Sequence, residues 1–365
     1  MTAPIDAAGA GVVTAFTERL ASGWQAIRLR SADVDVTLLP EKGGEIYALT
    51  ARKHGPRGID VLWKAPWGLR PPPIPSSTGP DSQAVWLDHY AGGWQELLPN
   101  AGGACTVLGA AHTFHGEASV VPWAHEIDVP HGGVPRIHLT VRLARTPLRV
   151  EKHVWLDPDR PVLHLWERMT NEGASPQPIM WGHHPAFGAP FLAAGCRLDV
   201  PARTFLANNP QVSPTSPIAP GQRSAWPHVT HAGGGTLDLS LLPGPEARTD
   251  RFGYLLDLDD GWYALSNDAL GLGFALTWPK DVFPCVWLWQ ELCGTQTYPW
   301  YGSTYVMGVE PNTSHPADGL ATAIERGTAR TIAPGDSLEA ELTATLFTPT
   351  GRVRHVTPDG DVQFA

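Results

Sequence analysis

The sequence contains little charge and no concentration of positive charge. Only 17% of its 365 residues are charged, and the formal net charge is −10, with no basic stripe at any point along the chain. Proteins that bind nucleic acid or anionic membrane surfaces do so through clusters of Lys and Arg. We therefore expect neither nucleic acid nor a membrane as a partner.

Features of secreted and membrane proteins are also missing. The four cysteines (Cys105, Cys196, Cys285 and Cys293) lie far apart and form no CxxC pair, so we expect reduced, mostly buried thiols. Met1–Val13 lacks the basic residues and apolar run of a signal peptide. No stretch approaches the roughly 18 apolar residues that a membrane helix requires. These absences predict a soluble cytoplasmic protein and leave its oligomeric state open.

Helix signals are scarce, whereas strand-like alternation is abundant. Leu320–Arg326, closed by Gly327, is one predicted helix, and Thr14–Ala21 is another. The predicted strands, several of which are separated by turn residues such as Gly43-Gly44, are Val34–Leu39, Glu45–Thr50, Arg136–Leu143, Leu148–Trp155, Pro161–Met169, Tyr254–Asp259, Trp262–Asn267, Gly273–Trp278, Tyr305–Val309 and Leu338–Leu346.

Many short strands without interleaved helices favour antiparallel sheets that pack face to face. Strand patterns of similar character lie on both sides of the Pro-rich segments Pro71–Pro80 and Pro210–Pro220, which we interpret as surface loops or rims of a cleft. We predict an all-β fold, a large antiparallel β-sandwich with a few short helices, that forms one domain over residues 1–365.

Two adjacent histidines, His183 and His184, lie in the segment Met180–Gly188 between bulky apolar residues. Histidine is the side chain whose ordinary pKa lies near neutrality, so it can take or give a proton at working pH. Pro185 disfavours helical geometry at His184 and favours an extended conformation. A lone histidine in such a place is more often a core residue, but two further segments favour a functional role here.

These segments carry His115, which precedes Gly116, and Glu310, which follows an apolar strand. Desolvation at such a strand end raises the pKa of a carboxyl towards that of a useful base. An imidazole and this carboxylate, facing each other across a pocket of monosaccharide size, would form an acid/base pair. Such a pair suits the ring opening of a sugar hemiacetal, which requires no cofactor and no metal.

The order of four motifs resembles that of the aldose 1-epimerase (galactose mutarotase-like) family. They are Gly-Gly-Trp-Gln-Glu-Leu-Leu-Pro-Asn at 92–100, His-Gly at 115–116, His-Pro-Ala-Phe at 184–187 and Val-Glu-Pro at 309–311. The resemblance implies the family's antiparallel supersandwich with a cleft on one face. It implies Glu310 as general base at the anomeric hydroxyl, His184 as general acid at the ring oxygen, and His115 as a hydrogen-bonding group for the sugar.

The chain departs from the family pattern in its substrate contacts. Asn100 is followed by Ala101-Gly102-Gly103-Ala104, where many members carry an arginine that holds sugar hydroxyls. The family's substrate-binding aspartate has only Asp257, Asp259 and Asp260 as candidates. These departures suggest a modified or non-standard sugar as the small-molecule substrate.

Aromatic and polar residues near the motifs supply the remaining candidates, and the sequence contains 15 tryptophans, which can stack on sugar rings or fill the core. The predicted substrate-binding residues are Asn100, Glu117, Trp94, Trp123, Trp289 and Gln290. His183 is interpreted as structural or as a partner of His184.

An inactive or repurposed family member that acts on a modified sugar is one alternative, and two other functions remain open. One is a non-catalytic carbohydrate-binding sandwich, which would share the tryptophans but would not need the His/His/Glu set. The other is a metal-dependent sugar enzyme with His115, His183, His184 and Glu310 as ligands. Adjacent side chains of an extended strand face opposite sides, which disfavours the second.

Overall fold

The computed structural model describes residues 11–73, 81–131 and 133–365. Short strands dominate, with two helices, α1 (Ser82–His89) and α2 (Leu320–Glu325), and one 3₁₀ turn at Pro245–Ala247. The strands are β1 (Thr14–Arg19), β2 (Gln25–Arg30), β3 (Val34–Leu39), β4 (Glu45–Ala51), β5 (Ile59–Asp60), β6 (Trp94–Leu97), β7 (Cys105–Val107), β8 (Ala110–His112), β9 (Ala124–Asp128), β10 (Arg136–Arg142), β11 (Leu148–Leu156), β12 (Val162–Asn171), β13 (Gln177–Ile179), β14 (Gly182–Gly188), β15 (Arg197–Asp199), β16 (Thr204–Ala207), β17 (Arg223–Ala225), β18 (His228–Thr230), β19 (Thr236–Asp238), β20 (Thr249–Leu256), β21 (Trp262–Asn267), β22 (Leu272–Thr277), β23 (Cys285–Leu292), β24 (Tyr305–Asn312), β25 (Arg330–Ile332), β26 (Ser337–Phe347), β27 (Val353–Val356) and β28 (Val362–Phe364).

Two large antiparallel sheets form the body of the structure. The first sheet has twelve strands in the order β1-β2-β3-β4-β6-β14-β24-β23-β20-β16-β17, with β5 beside β4. The second sheet has eight strands in the order β15-β21-β22-β26-β12-β11-β10-β9, and the remaining strands form two-stranded hairpins or pairs. The predicted all-β, antiparallel sandwich is therefore confirmed.

The core lies between the two sheets and is built by alternation. In β11 every second side chain is buried, because those positions face the first sheet while the intervening ones face outward. Leu139 and Leu165 of the second sheet belong to the same buried cluster as Val36 and Leu38 of the first. Removal of this apolar surface from water is the main favourable contribution to the packing of the two layers.

Most predicted strands are confirmed, and the helix predictions fare unevenly. Leu320–Arg326 is confirmed as α2, but the helix predicted at Thr14–Ala21 is wrong, because Thr14–Arg19 is β1 and pairs in antiparallel register with β2. Helix α1 was not predicted, since of its side chains only Ser82 and Trp86 are buried and no apolar stripe marks it.

Two further predictions concern element boundaries. Strand β20 begins at Thr249 rather than Tyr254. The earlier start was not predicted, because Asp250 and Arg251 are polar residue types that are nevertheless buried in the strand. Residues 210–220 form a loop between β16 and β17, as predicted, whereas residues 74–80 of the other predicted loop lie outside the described residues.

Two of the four cysteines, Cys196 and Cys285, are buried, and the other two are half-buried. All four cysteines are unpaired. Neither described helix has the length and apolar character that crossing a bilayer requires.

Candidate active site

Strand β14 carries two histidines to opposite faces of the first sheet. Every residue of Gly182–Gly188 is buried, because one face packs towards the second sheet and the other is covered by α1 and by loops. His183 lies on the face towards the second sheet, here called the inner face, where it contacts Glu167 of β12. His184 lies on the other, the cavity face, as alternation in a strand requires.

Glu310 lies beside His184 because of the pairing of β14 with β24. The pairs Gly182–Asn312 and Ala186–Gly308 bracket the site, and the same register places His184 opposite Glu310. A Cβ at Gly308 would lie 2.5 Å from Glu310 Oε1, so a side chain there would displace the carboxyl group. The glycine therefore provides the space in which the carboxyl group lies.

The geometry of the pair differs from the sequence expectation. His184 Nε2 lies 3.5 Å from Glu310 Oε1, so the two groups are side by side on neighbouring strands rather than separated by the width of a sugar. Adjacent strands of one sheet cannot place their side chains on opposite walls of a pocket. Side-by-side placement still suits a hemiacetal, because the anomeric and ring oxygens are bonded to the same carbon and can be reached together.

Burial shifts both groups towards their uncharged forms. Desolvation lowers the pKa of His184 to about 4 and raises the pKa of Glu310 well above its ordinary value. The Tyr90 hydroxyl lies 3.5 Å from His184 Nδ1, and the Trp86 and Trp289 rings flank the imidazole at 5.8 and 5.9 Å between centroids. Both shifts favour the state in which the imidazole is neutral and the carboxyl group carries the proton.

His115 lies on the same cavity and close to His184, with 5.4 Å between ring centroids. Its backbone adopts φ +59°, a left-handed conformation that is uncommon for residues other than glycine and is concentrated at functional sites. The Gly102 N–H donates to His115 Nδ1 at 3.2 Å, and burial lowers the pKa of the imidazole well below its ordinary value. A neutral ring that accepts at Nδ1 carries its proton on Nε2, which makes His115 a donor.

One cavity of about 420 Å³ is shared by all three predicted catalytic residues. A cavity of this size falls within the range of small-molecule sites. Its lining residues come from α1, β14, β20, β23, β24 and several loops, and they are Gln83, Trp86, Leu87, Tyr90, Gly102, Gly103, Phe114, His115, His184, Asn208, Val212, Phe252, Trp287, Trp289, Trp300, Glu310, Ala317 and Asp318.

On the inner face of β14, His183 belongs to a buried network of charged groups. Its Nε2 lies 3.1 Å from Glu167, and its Nδ1 accepts from the Trp94 indole N–H at 3.2 Å. Lys152 Nζ lies 2.5 Å from Glu96 and 3.1 Å from Glu167, and all three side chains are almost fully buried. This ion network joins β6 and β14 of the first sheet to β11 and β12 of the second.

Within the network, neighbouring opposite charges outweigh the effect of burial on the pKa values of Glu167 and Lys152. Burial alone would raise the pKa of Glu167, but the Lys152 ammonium and the hydrogen bonds from Lys152 and His183 outweigh it and lower that pKa to about 2. Burial and the Glu167 carboxylate raise the pKa of Glu96, while the two carboxylates outweigh burial and raise the pKa of Lys152.

The structure separates the predicted substrate-binding residues. Trp289 lines the cavity. Asn100 lies behind it, where its amide donates to the carbonyls of Gly103 and Thr113 and braces the turn that holds His115. The Glu117 carboxylate accepts the N–H groups of residues 144 and 145, each at 3.0 Å, and lies outside the cavity lining.

The other predicted residues also lie away from the cavity. Trp94 faces the inner side, where it donates to His183, and Trp123 packs in the core with Lys152 Nζ 5.2 Å from its ring. Gln290 points away from Trp289, and its amide contacts Met307 Sδ at 3.4 Å. Their roles in substrate binding remain predictions from sequence.

The aspartate candidates lie elsewhere, and another aspartate occupies the cavity. Asp257 pairs with Arg223, Asp259 with Arg203, and Asp260 lies beside His355. Asp318, which follows β24, lines the cavity instead. No local sequence signal identifies it, because it is brought there by an isolated β-bridge to Gly102.

Several aromatic wall residues were also missed. Trp86 lies in helix α1 and Tyr90 directly after it, and this helix has no apolar stripe by which it could be predicted. Trp300 lies in the loop before β24. Trp287 is buried and also lines the cavity, on the same strand face as Trp289.

The four-residue metal ligand set considered from sequence is not assembled. His183 faces the second sheet, away from His115, His184 and Glu310. Within the described ranges, no group of three or more His, Cys, Asp or Glu residues is arranged to hold a metal ion.

Comparison with known sequences gives a family. The family model described as a domain of unknown function (DUF4432) matches residues 21–346. No curated protein matches the sequence at a significant level.

Comparison with solved structures gives the fold. A protein provisionally named an aldose 1-epimerase from Klebsiella pneumoniae is 18% identical with a TM-score of 0.69, and the match covers 92% of this chain and 84% of that one. A galactose mutarotase-like protein from Clostridium acetobutylicum is 14% identical with a TM-score of 0.63, covering 92% and 99%. A further provisional aldose 1-epimerase, from Escherichia coli K12, is 16% identical with a TM-score of 0.59, covering 93% and 100%. The family resemblance inferred from the motifs is thus confirmed at the level of the fold.

Proposed function

The chain belongs to the DUF4432 family, and we propose that it is a carbohydrate isomerase that interconverts the anomers of an aldose by acid/base ring opening. The observation that carries this proposal is the His184–Glu310 contact of 3.5 Å in a cavity of about 420 Å³. Solved relatives of the same fold whose names refer to aldose 1-epimerase or mutarotase support it.

In the proposed reaction one group of the pair takes the proton from the anomeric hydroxyl while the other gives a proton to the ring oxygen. The bond between the anomeric carbon and the ring oxygen breaks, and a carbonyl forms at the anomeric carbon. Rotation about the C1–C2 bond and the reverse steps then close the other anomer. Such positioned proton transfer contributes about 10²–10⁴-fold to a rate.

The pKa directions of His184 and Glu310 bear on which of the two is the acid and which is the base. The family resemblance implies Glu310 as base and His184 as acid, whereas the pKa directions in this structure favour the proton on Glu310. Ring opening and closure are the same steps in opposite directions, so a pair that holds one proton serves both. We therefore assign the proton transfer to His184 and Glu310 jointly, with the neutral His115 ring as a hydrogen-bond donor to the sugar.

The test is anomer exchange measured by NMR on freshly dissolved α-D-glucopyranose and α-D-galactopyranose, with and without the protein. We expect acceleration that Glu310→Gln abolishes, because an amide can neither take nor give the proton. Sugar binding without acceleration would instead indicate a non-catalytic carbohydrate-binding protein. Loss of activity together with a stoichiometric metal on chelation would favour the metal-dependent alternative.

A further inference from the structure

The cavity wall consists mainly of aromatic side chains. Trp289 and Trp300 contact each other at 5.3 Å between centroids, and Trp287 contacts Phe252 at 6.1 Å. On the side of α1, Trp86 packs against Phe114 at 5.6 Å. Such surfaces bind flat apolar groups well and give few hydrogen bonds.

Positive charge is absent from this wall. All 26 lysines and arginines of the sequence lie in the described part of the chain, and none of them lines the cavity. Apart from the phenol of Tyr90, the ionisable side chains that line it are His115, His184, Glu310 and Asp318. A phosphate, sulfate or carboxylate on the ligand would lose its hydration without gaining a cationic partner, and two carboxyl groups would lie nearby.

The part of the wall formed by Gly102 and Gly103 is bare backbone, at the position where the family pattern suggests a cation. Gly102 has φ +79°, and a Cβ there would lie 1.9 Å from the Ala317 carbonyl oxygen. Gly103 is less crowded, since its Cβ would lie 3.0 Å from the Asp318 carbonyl oxygen. No arginine can be accommodated at Gly102, so the lack of charge at this position is built into the fold.

Few polar side chains are available to ring hydroxyls. Beyond the catalytic residues, the lining offers Gln83, Asn208, Asp318, the Tyr90 hydroxyl and the tryptophan indole N–H groups, of which those of Trp86 and Trp287 already donate to Ser119 and Ser314. The Asn208 amide already donates to the Pro210 carbonyl, and its oxygen accepts from the Tyr254 hydroxyl. A buried hydroxyl without a partner costs free energy, whereas an apolar group on the same ring would gain from burial against tryptophan.

We infer that the substrate is an uncharged aldose with a free anomeric hydroxyl and an aryl or alkyl group elsewhere on the ring, which packs against Trp287, Trp289 and Trp300. This inference rests on the proposed function, since it assigns the reacting carbon to the His184–Glu310 pair. The cavity of about 420 Å³ is the space in which the ring and its apolar substituent would lie together.

The experiment compares anomer exchange for D-galactose, its 6-phosphate, and its 3-O-, 4-O- and 6-O-benzyl ethers. We expect at least one benzyl ether to exceed D-galactose in kcat/KM by about 10-fold or more, since apolar contacts in a pocket discriminate on that scale. The 6-phosphate should be the poorest of the set. Equal or better turnover of D-galactose than of every ether, or preference for the phosphate, would overturn the inference.

Binding to the Glu310→Gln variant separates this inference from the proposed reaction. Tryptophan fluorescence titrations with the same sugars, and with benzyl alcohol alone, report affinity without turnover. Exchange of D-galactose without any benzyl preference would leave the reaction standing and overturn the substrate class. Tight benzyl-ether binding with no exchange of any sugar would overturn the reaction and retain the ligand class, and failure of both measurements would overturn both.

A pair of variants locates the apolar contact. Trp300→Ala removes a half-buried wall residue and should bring the benzyl preference close to parity with D-galactose. The control is Tyr301→Asn, at an exposed neighbour outside the cavity lining, with asparagine chosen because Tyr301 has φ +45°. An unchanged preference in Trp300→Ala would contradict the assigned position of the apolar group.

Discussion

On the inner face of β14, His183 has a partner on each ring nitrogen, Glu167 at 3.1 Å and the Trp94 indole at 3.2 Å. On the cavity face, His184 has Tyr90 and Glu310, each at 3.5 Å. The inner network compensates its buried charges with opposite charges, whereas the cavity pair is desolvated without such compensation. Desolvated ionisable groups without an opposite charge are typical of functional sites, whereas buried charges that are paired with opposite charges are typical of structural roles.

The largest expected difference between the two faces is in rate, and two glutamates provide the test. Glu310→Gln should slow anomer exchange by about 10²–10⁴-fold, because it removes one partner of the proton transfer. Its unfolding midpoint should stay the same or rise, since a desolvated carboxyl group is replaced by a neutral amide. Glu96→Gln, the same substitution on the inner face, should retain the rate of the folded protein. Comparable rate losses in both variants would contradict the assignment of a catalytic role to the cavity face and a structural role to the inner face.

The largest expected difference in stability lies on the inner face. Lys152→Met leaves Glu96 and Glu167 buried without a cation, which should lower the free energy of unfolding by about 3–5 kcal/mol. Urea denaturation followed by tryptophan fluorescence measures this loss. The control is Arg142→Met, which breaks the exposed contact with Glu172 at 2.8 Å and should change stability little, because solvent screens that pair. Equal effects of the two variants would show that burial of the network contributes nothing.

The pH dependence of the rate tests whether His184 and Glu310 are desolvated on the cavity face. Below about pH 4 the imidazole of His184 becomes protonated, the pair holds two protons, and the rate falls for want of a base. At high pH Glu310 loses its proton and the rate falls for want of an acid, at a pH above the ordinary range of a carboxyl because burial raises that pKa. Because the two groups interact, the fall of the rate at low pH and at high pH reports the pKa values of the pair rather than of either residue alone. An acid limb near pH 6.5, the ordinary histidine value, would contradict the desolvation of His184.

The smallest expected effect concerns Tyr90. Its hydroxyl lies at the long end of hydrogen-bond distance from His184 Nδ1, so Tyr90→Phe should slow exchange by roughly 2- to 10-fold, the value of one modest hydrogen bond. The ring still stacks on Trp86, which makes the variant conservative. Steady-state rates at several pH values measure the effect. A loss as large as that of Glu310→Gln would instead make the hydroxyl part of the proton transfer.

The sequence predicts the inner and cavity faces of β14 better than it predicts the cavity itself. Alternation in an extended strand follows from local geometry, so the opposite orientations of His183 and His184 could be anticipated. Register then brought Glu310 beside His184, but only the pairing of strands distant in sequence shows that they touch. Trp86 and Asp318 reach the cavity through a helix without an apolar stripe and through an isolated bridge, neither of which leaves a periodic pattern.

The most direct measurement compares His183→Asn with His184→Asn for both anomer exchange and unfolding. The account predicts that His184→Asn loses exchange by about 10²–10⁴-fold and unfolds near the wild-type midpoint. His183→Asn should unfold earlier and, below its own transition, exchange sugars at nearly the wild-type rate. Full activity of folded His184→Asn would contradict the assignment of proton transfer to this residue.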